Sequence, residues 1–188
     1  MQADTLGLQE CNDAGAVASR TGNMYSAVSP FNDNQGVMTK PGIFSVLAQG
    51  SRDLQARGKW GNRYVNWVKL RHLASGRSFW HFNTHWCVAS GNGYTCNSGV
   101  RATGAKNMLR AIREVAGSSP VVVTGDFNAG MGEQGIQEFL RNGFALARNS
   151  GVDAIFYSQA HWSVAGATVG SASGSDHSPV IVDLQLTR

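Results

Sequence analysis

Asp126 and Asn128 stand two apart in Gly125-Asp126-Phe127-Asn128, directly after the apolar run Val121-Val122-Val123-Thr124. A second polar group, Ser175-Asp176-His177-Ser178-Pro179, directly precedes Val180-Ile181-Val182, and Leu184 and Leu186 continue the alternation. Both groups therefore sit at the mouth of a buried strand, where a rigid sheet holds polar atoms at fixed separations. Carboxylate and amide oxygens are ligands for a hard cation, and an imidazole beside them can move a proton. That combination suits metal-assisted attack on a phosphate ester. A lone Asp-x-Asn is ordinarily an Asx turn after a strand, so the surrounding elements must decide between the two.

Leu6-Gly7-Leu8-Gln9 reads as the end of a buried strand that delivers Glu10. Apolar runs at 43–48, 64–70 and 79–84 predict three further strands, and Ala74-Ser75-Gly76 turns the last two into a hairpin. Met108, Leu109, Ile112 and Val115 recur at helical spacing, which predicts a helix over 100–116 with Ser98 capping its start and Gly117 and Pro120 ending it. A strand over 120–125, a helix over 133–142 and strands over 153–157, 161–169 and 179–186 complete the pattern. Strands joined mostly as hairpins, with two helices between them, imply an α/β sandwich of two sheets with helices outside. The helices are too few for a doubly wound sheet.

The 188 residues fit one domain able to bury a sizeable core. The 23 glycines against four prolines indicate tight turns between short strands. No apolar stretch reaches the roughly 20 residues that span a bilayer. Net charge is +4. The stretch 52–77 concentrates Arg52, Arg57, Lys59, Arg63, Lys69, Arg71 and Arg77 against the single acid Asp53. Such a field attracts a polyanion, although edge-strand charges also serve solubility alone. Cys87 and Cys96 flank a Gly-, Ser- and Asn-rich loop that fits either a disulfide or two free thiols. A closed bond would place the protein outside the reducing cytosol, and the reading leans that way. Cys11 reads as a small buried side chain.

Taken in chain order, Leu8-Gln9-Glu10, Asn83-Thr84-His85, Gly125-Asp126-Phe127-Asn128, Val152-Asp153-Ala154-Ile155-Phe156 and Ser175-Asp176-His177 closely resemble the endonuclease/exonuclease/phosphatase superfamily, which includes deoxyribonuclease I. The resemblance spans essentially the whole chain. It implies a four-layer α/β sandwich, with two mixed β-sheets packed face to face and helices outside. It further implies Mg²⁺, Mn²⁺ or Ca²⁺ as cofactor and hydrolysis of phosphate esters. Members of the superfamily open with a strand carrying an Asn beside the metal-binding Glu. No Asn precedes Glu10 here, so the sequence reads as lacking that N-terminal strand.

Carried over position by position, the resemblance makes Glu10 a metal ligand with Asp176 facing the metal. Asp126 orients or deprotonates the attacking water, and Asn128 holds it or a phosphate oxygen. His177 is the catalytic histidine, held in its tautomer by Asp153, and His85 protonates the leaving oxygen or stabilises the charged transition state. Asn83, on the same strand face as His85, is a substrate-binding candidate, as is Arg63 as a phosphate clamp. His72, His81 and His161 read as ordinary surface histidines. A His at position 85 points away from abasic-site repair. The expected substrate is DNA or RNA, with a lipid head group or small phosphate as the second reading and a shortened, inactive binding form as the third. A monomer is expected.

Overall fold

The computed structural model describes residues 3–89 and 96–187. Eleven strands and three helices follow in the order β1 Thr5–Leu8, α1 Ala14–Arg20, β2 Ser26–Ala27, β3 Gly36–Thr39, β4 Phe44–Gly58, β5 Gly61–His72, β6 Ser78–His85, α2 Ser98–Ala116, β7 Val121–Asp126, α3 Gln134–Arg141, β8 Phe144–Ser150, β9 Asp153–Ser158, β10 Trp162–Val169 and β11 Val180–Leu186. One six-stranded sheet runs β4-β5-β6-β7-β9-β8. Its pairs are antiparallel apart from β6 and β7, which are parallel because α2 carries the chain over between them.

The two faces of this sheet bury different partners. On one, Ala105, Met108, Leu109 and Ile112 of α2 pack with Phe139 of α3 onto Leu54, Val65, Phe82, Val123 and Phe156. Phe127 is fully buried there, with its ring edge-on to Trp86 at 4.8 Å and to Phe156 at 5.3 Å. The Phe between Asp126 and Asn128 thus anchors that turn to the core. On the other face, Val37, Val68, Leu70, Phe79 and Val122 form a second core beneath a second layer of strands, with α1 packed against β2. This is the expected mixed α/β sandwich.

The second layer departs from expectation by coming in two pieces, β1-β3-β2 and β10-β11. β1 packs over β6 and β7, and β11 packs over β8 and β9. Between their edges runs a groove of about 610 Å³ floored by Thr124, Gly125, Ala154 and Ile155.

Several boundaries also move. Asn97, not Ser98, caps α2, its side chain accepting from the Val100 N–H at 3.0 Å. Glu133 and Asn142 flank α3 instead of belonging to it. β4 runs on from the apolar segment to Gly58, sustained by pairing with β5 and not by its own hydropathy. α1, β2, β3 and β8 were not foreseen; β8 is an edge strand with a bulge between Leu146 and Arg148, which breaks the two-residue alternation.

Candidate active site

Sheet register builds the centre of the site. Parallel pairing sets His85 of β6 opposite Asp126 of β7, and antiparallel pairing sets Asp126 opposite Asp153 of β9. Three candidate residues therefore stand in a row at one end of the sheet. The loop before β11 brings His177 to the same place: its Nδ1 lies 2.7 Å from Asp153 Oδ2 and 4.0 Å from Asp126 Oδ2. On the far side of Asp126, His85 Nε2 lies 3.5 Å from the same oxygen. Asp126 Oδ1 accepts from the Asn128 backbone N–H at 2.8 Å, and the Asn128 amide donates to the Trp86 carbonyl at 2.9 Å. Asn128 is left-handed, with φ 46°, which Asn tolerates better than most residues.

Glu10 arrives from the opposite layer, and a buried polar network holds its strand in place. Thr124 Oγ1 donates to Asn83 Oδ1 at 2.8 Å, and Gln9 Nε2 donates to the same oxygen at 2.6 Å. Asn83 Nδ2 donates to the Leu8 carbonyl at 2.8 Å. The Thr124 hydroxyl is thereby committed as a donor to Asn83, so the His81 Nε2 that meets it at 2.9 Å must carry the proton. His81 Nδ1 then accepts from the Thr5 hydroxyl at 2.8 Å. β1 can approach this closely because Gly7 has no side chain: a Cβ there would fall 1.9 Å from Thr124 Oγ1. Glu10, two residues past the end of β1, stands at φ 54°, a left-handed conformation that costs energy for a Glu and is the kind of outlier found at functional positions.

Three corrections follow. His81, read as a surface residue, is 1% exposed and links β1, β6 and β7. Burial pushes its pKa down to about 3, so it stays neutral. Asn83, read as a substrate contact, is wholly buried with its amide committed within the network; it positions Glu10 instead. Arg63 is likewise not an open phosphate clamp, being 4% exposed and donating to Asp33 at 2.9 Å. Its charge nevertheless reaches His85.

Electrostatics separate the two site histidines. Burial lowers the pKa of His85, with the Asp126 charge opposing it. At His177 burial acts in the same downward sense, but the Asp153 carboxylate, its hydrogen bond and the charges of Asp126 and Asp176 outweigh it, so the pKa is raised. Burial also raises both Asp126 and Asp153, against the Asn128 N–H at Asp126 and the His177 charge at Asp153.

Glu10, Asp126, Asp153, Asp176 and His177 all line the groove. Asp126, Asp153 and His177 bring one ligand atom each within 4.8 Å of the others, a donor set of carboxylates and one imidazole that fits a divalent ion. Because His177 Nδ1 is already hydrogen-bonded to Asp153, those two fit a proton-transfer pair better than an ion cage, and the Glu10 side of the groove is left for metal. Among the described residues no helix is long and apolar enough to cross a membrane. The Cys87–Cys96 disulfide is closed, with Cα atoms 5.9 Å apart; most of the loop between them lies outside the described residues. Cys11 is a half-buried free thiol whose pKa is raised by burial.

Among solved structures, the human Nocturnin catalytic domain with bound sulfate is similar at TM-score 0.77 and 19% identity, over 98% of this chain and 81% of that one. D. rerio TDP2 complexed with single-strand DNA product is similar at TM-score 0.72 and 14% identity, over 97% and 86%. The mannosyl-6-phosphatase Bt3783 of Bacteroides thetaiotaomicron VPI-5482 is similar at TM-score 0.70 and 18% identity, over 97% and 85%. No curated protein matches the sequence. Residues 1–177 match the Endonuclease/Exonuclease/phosphatase family, and the chain belongs to that family of phosphoric ester hydrolases.

Proposed function

We propose that this hydrolase is a divalent-metal-dependent nuclease that cleaves phosphodiester bonds of DNA or RNA. The observation that carries the reading is the Asp153–His177 pair at 2.7 Å, set beside an Asp126 carboxylate flanked by two imidazoles. With Asp153 ionised, His177 Nδ1–H donates to it, which leaves the Nε2 lone pair as the base. His177 is the most open of these groups, its side chain 41% exposed, and can therefore reach a water at the phosphate.

Asp126 accepts a hydrogen bond from that water and orients it for in-line attack. The Asn128 amide keeps one hydrogen beyond its bond to Trp86 and offers it to the developing negative charge. His85, kept neutral by burial and 3.5 Å from Asp126 Oδ2, offers a neutral donor beside that carboxylate without extra positive charge. Glu10 and Asp176 are the residues that would hold Mg²⁺ or Mn²⁺, whose charge would neutralise the phosphate oxygens.

A second reading, a phosphatase acting on a small phosphate, is favoured by the shared fold of the mannosyl-6-phosphatase. Incubating the protein with Mg²⁺ or Mn²⁺ and, in parallel, a DNA oligonucleotide, an RNA oligonucleotide, sphingomyelin, an inositol phosphate and a sugar phosphate separates the two. Preferential cleavage of either oligonucleotide supports the nuclease. Turnover confined to the small phosphates replaces it with the second reading.

A further inference from the structure

Trp60 is 67% exposed, whereas Trp67, Trp80 and Trp86 are 8%, 7% and 2% exposed. It lies with Lys59 at the tip of the β4–β5 hairpin, beyond the last pair Gly58↔Gly61. Lys59 Nζ stands over the Trp60 ring, 4.6 Å from its centroid. A cation on one face leaves the other open to a flat partner.

The tip is aimed, not loose. A bulge between Asp53 and Arg57 turns Gln55 left-handed at φ 53°, and Asp53 pins it by accepting from the Gln55 N–H at 2.7 Å and from Asn62 Nδ2 at 2.8 Å. The same bulge drops Leu54 and Ala56 into the core against α2, which fixes the hairpin to the body of the protein. Its end lies beside the site: a Cβ on Gly58 would fall 2.7 Å from the Cβ of Cys87, two residues past His85. Further down the hairpin, the Arg63 charge reaches His85.

We propose that Lys59 and Trp60 form a contact arm for single-stranded nucleic acid, Trp60 stacking on a base near the scissile phosphate and Lys59 meeting an adjoining phosphate. An exposed aromatic next to a cation is the pairing that single strands use, because every base offers a flat face and every linkage a charge. A membrane wedge fits less well. Within the hairpin tip, Gly58, Lys59, Gly61 and Asn62 flank one indole, and none of them adds an apolar side chain to insert. The inference deepens the nuclease reading and rests on it.

The test measures binding of a fluorescent twelve-nucleotide oligo(dT) to the full chain in EDTA, which removes hydrolysis from the readout. Trp60→Ala should weaken binding about 5- to 100-fold, the range for losing one stacked base. Trp60→Phe should keep most of the affinity, and Lys59→Gln should flatten the salt dependence by about one phosphate contact. Separately, Trp60→Ala should unfold at the parent protein's urea midpoint, so that lost binding reads the arm and not the fold. Unchanged oligonucleotide affinity in Trp60→Ala, or no binding by the parent protein, overturns the arm. Loss of vesicle binding in Trp60→Ala with oligonucleotide binding intact replaces it with a membrane contact. Failure of the parent protein to cleave any diester overturns the nuclease reading itself, whatever the binding data show.

Discussion

Acidification should loosen the Glu10-bearing strand through a residue that never meets substrate. His81 is buried and neutral between the Thr5 and Thr124 hydroxyls, with a pKa of about 3 against an ordinary 6.5. The unfolded chain therefore takes up a proton near pH 6.5 that the folded chain refuses until about pH 3. A depressed histidine pKa contributes stability that is whole above the unfolded value and is lost as pH falls below it. Between about pH 7 and about pH 5 the ordinary histidine gains about 1.4 pH units of protonation free energy, or about 2 kcal/mol of lost stability. Urea unfolding at the two pH values should show that loss as a lower midpoint in the parent protein. His81→Gln, which keeps an amide within reach of both hydroxyls and cannot titrate, should show a loss smaller by about that amount. The ring nitrogens of His81 should also report the neutral, Nε2-protonated form by NMR at pH 5. Equal pH slopes in the two proteins, or a charged His81 ring in the folded state, would refute the network as described.

Other outcomes follow from the same geometry. Asp153→Asn removes the charge that raises His177, so turnover should fall about 10²-fold or more. The acidic limb of the pH–rate profile should also move to lower pH, and an unmoved limb would detach Asp153 from His177. Chelation by EDTA should abolish activity, and added Mg²⁺ or Mn²⁺ should restore it; undiminished turnover after chelation would remove the metal from the account. Cys87→Ser opens a bond spanning nine positions and should cost about 2.5 kcal/mol by loop entropy, read from the urea midpoint. Gly7→Ala drives a methyl into Thr124 and Asn83. It should lower activity and stability together, and wild-type values for both would show that β1 need not sit so close.

The order of the strands from β4 to β11 was largely legible because apolar runs and turn residues mark it directly. Asp126, Asp153, His177 and Glu10 could be placed because each lies at or within three residues of one end of a strand, and strand ends are visible in sequence. His81 and Asn83 were misread for a common reason. On a strand buried on both faces, polar residues that satisfy one another look identical to polar residues facing solvent or substrate. Arg63 failed in the same way, since its partner Asp33 lies thirty positions away in a loop. Trp60 was passed over because a single aromatic between Lys and Gly carries no periodic signal, and only its exposure distinguishes it from Tyr64 and Trp67. The split second layer was beyond reach of pattern alone.

Single-turnover cleavage of a labelled oligonucleotide by the parent protein and by His177→Ala, both loaded with Mg²⁺, is the most direct test of the site. The geometry predicts cleavage by the parent and a rate lower by about 10²- to 10⁴-fold in the variant, with folding and oligonucleotide affinity retained. Equal rates in the two proteins would contradict the assignment of His177 as the base and, with it, the mechanism built on the Asp153 pair.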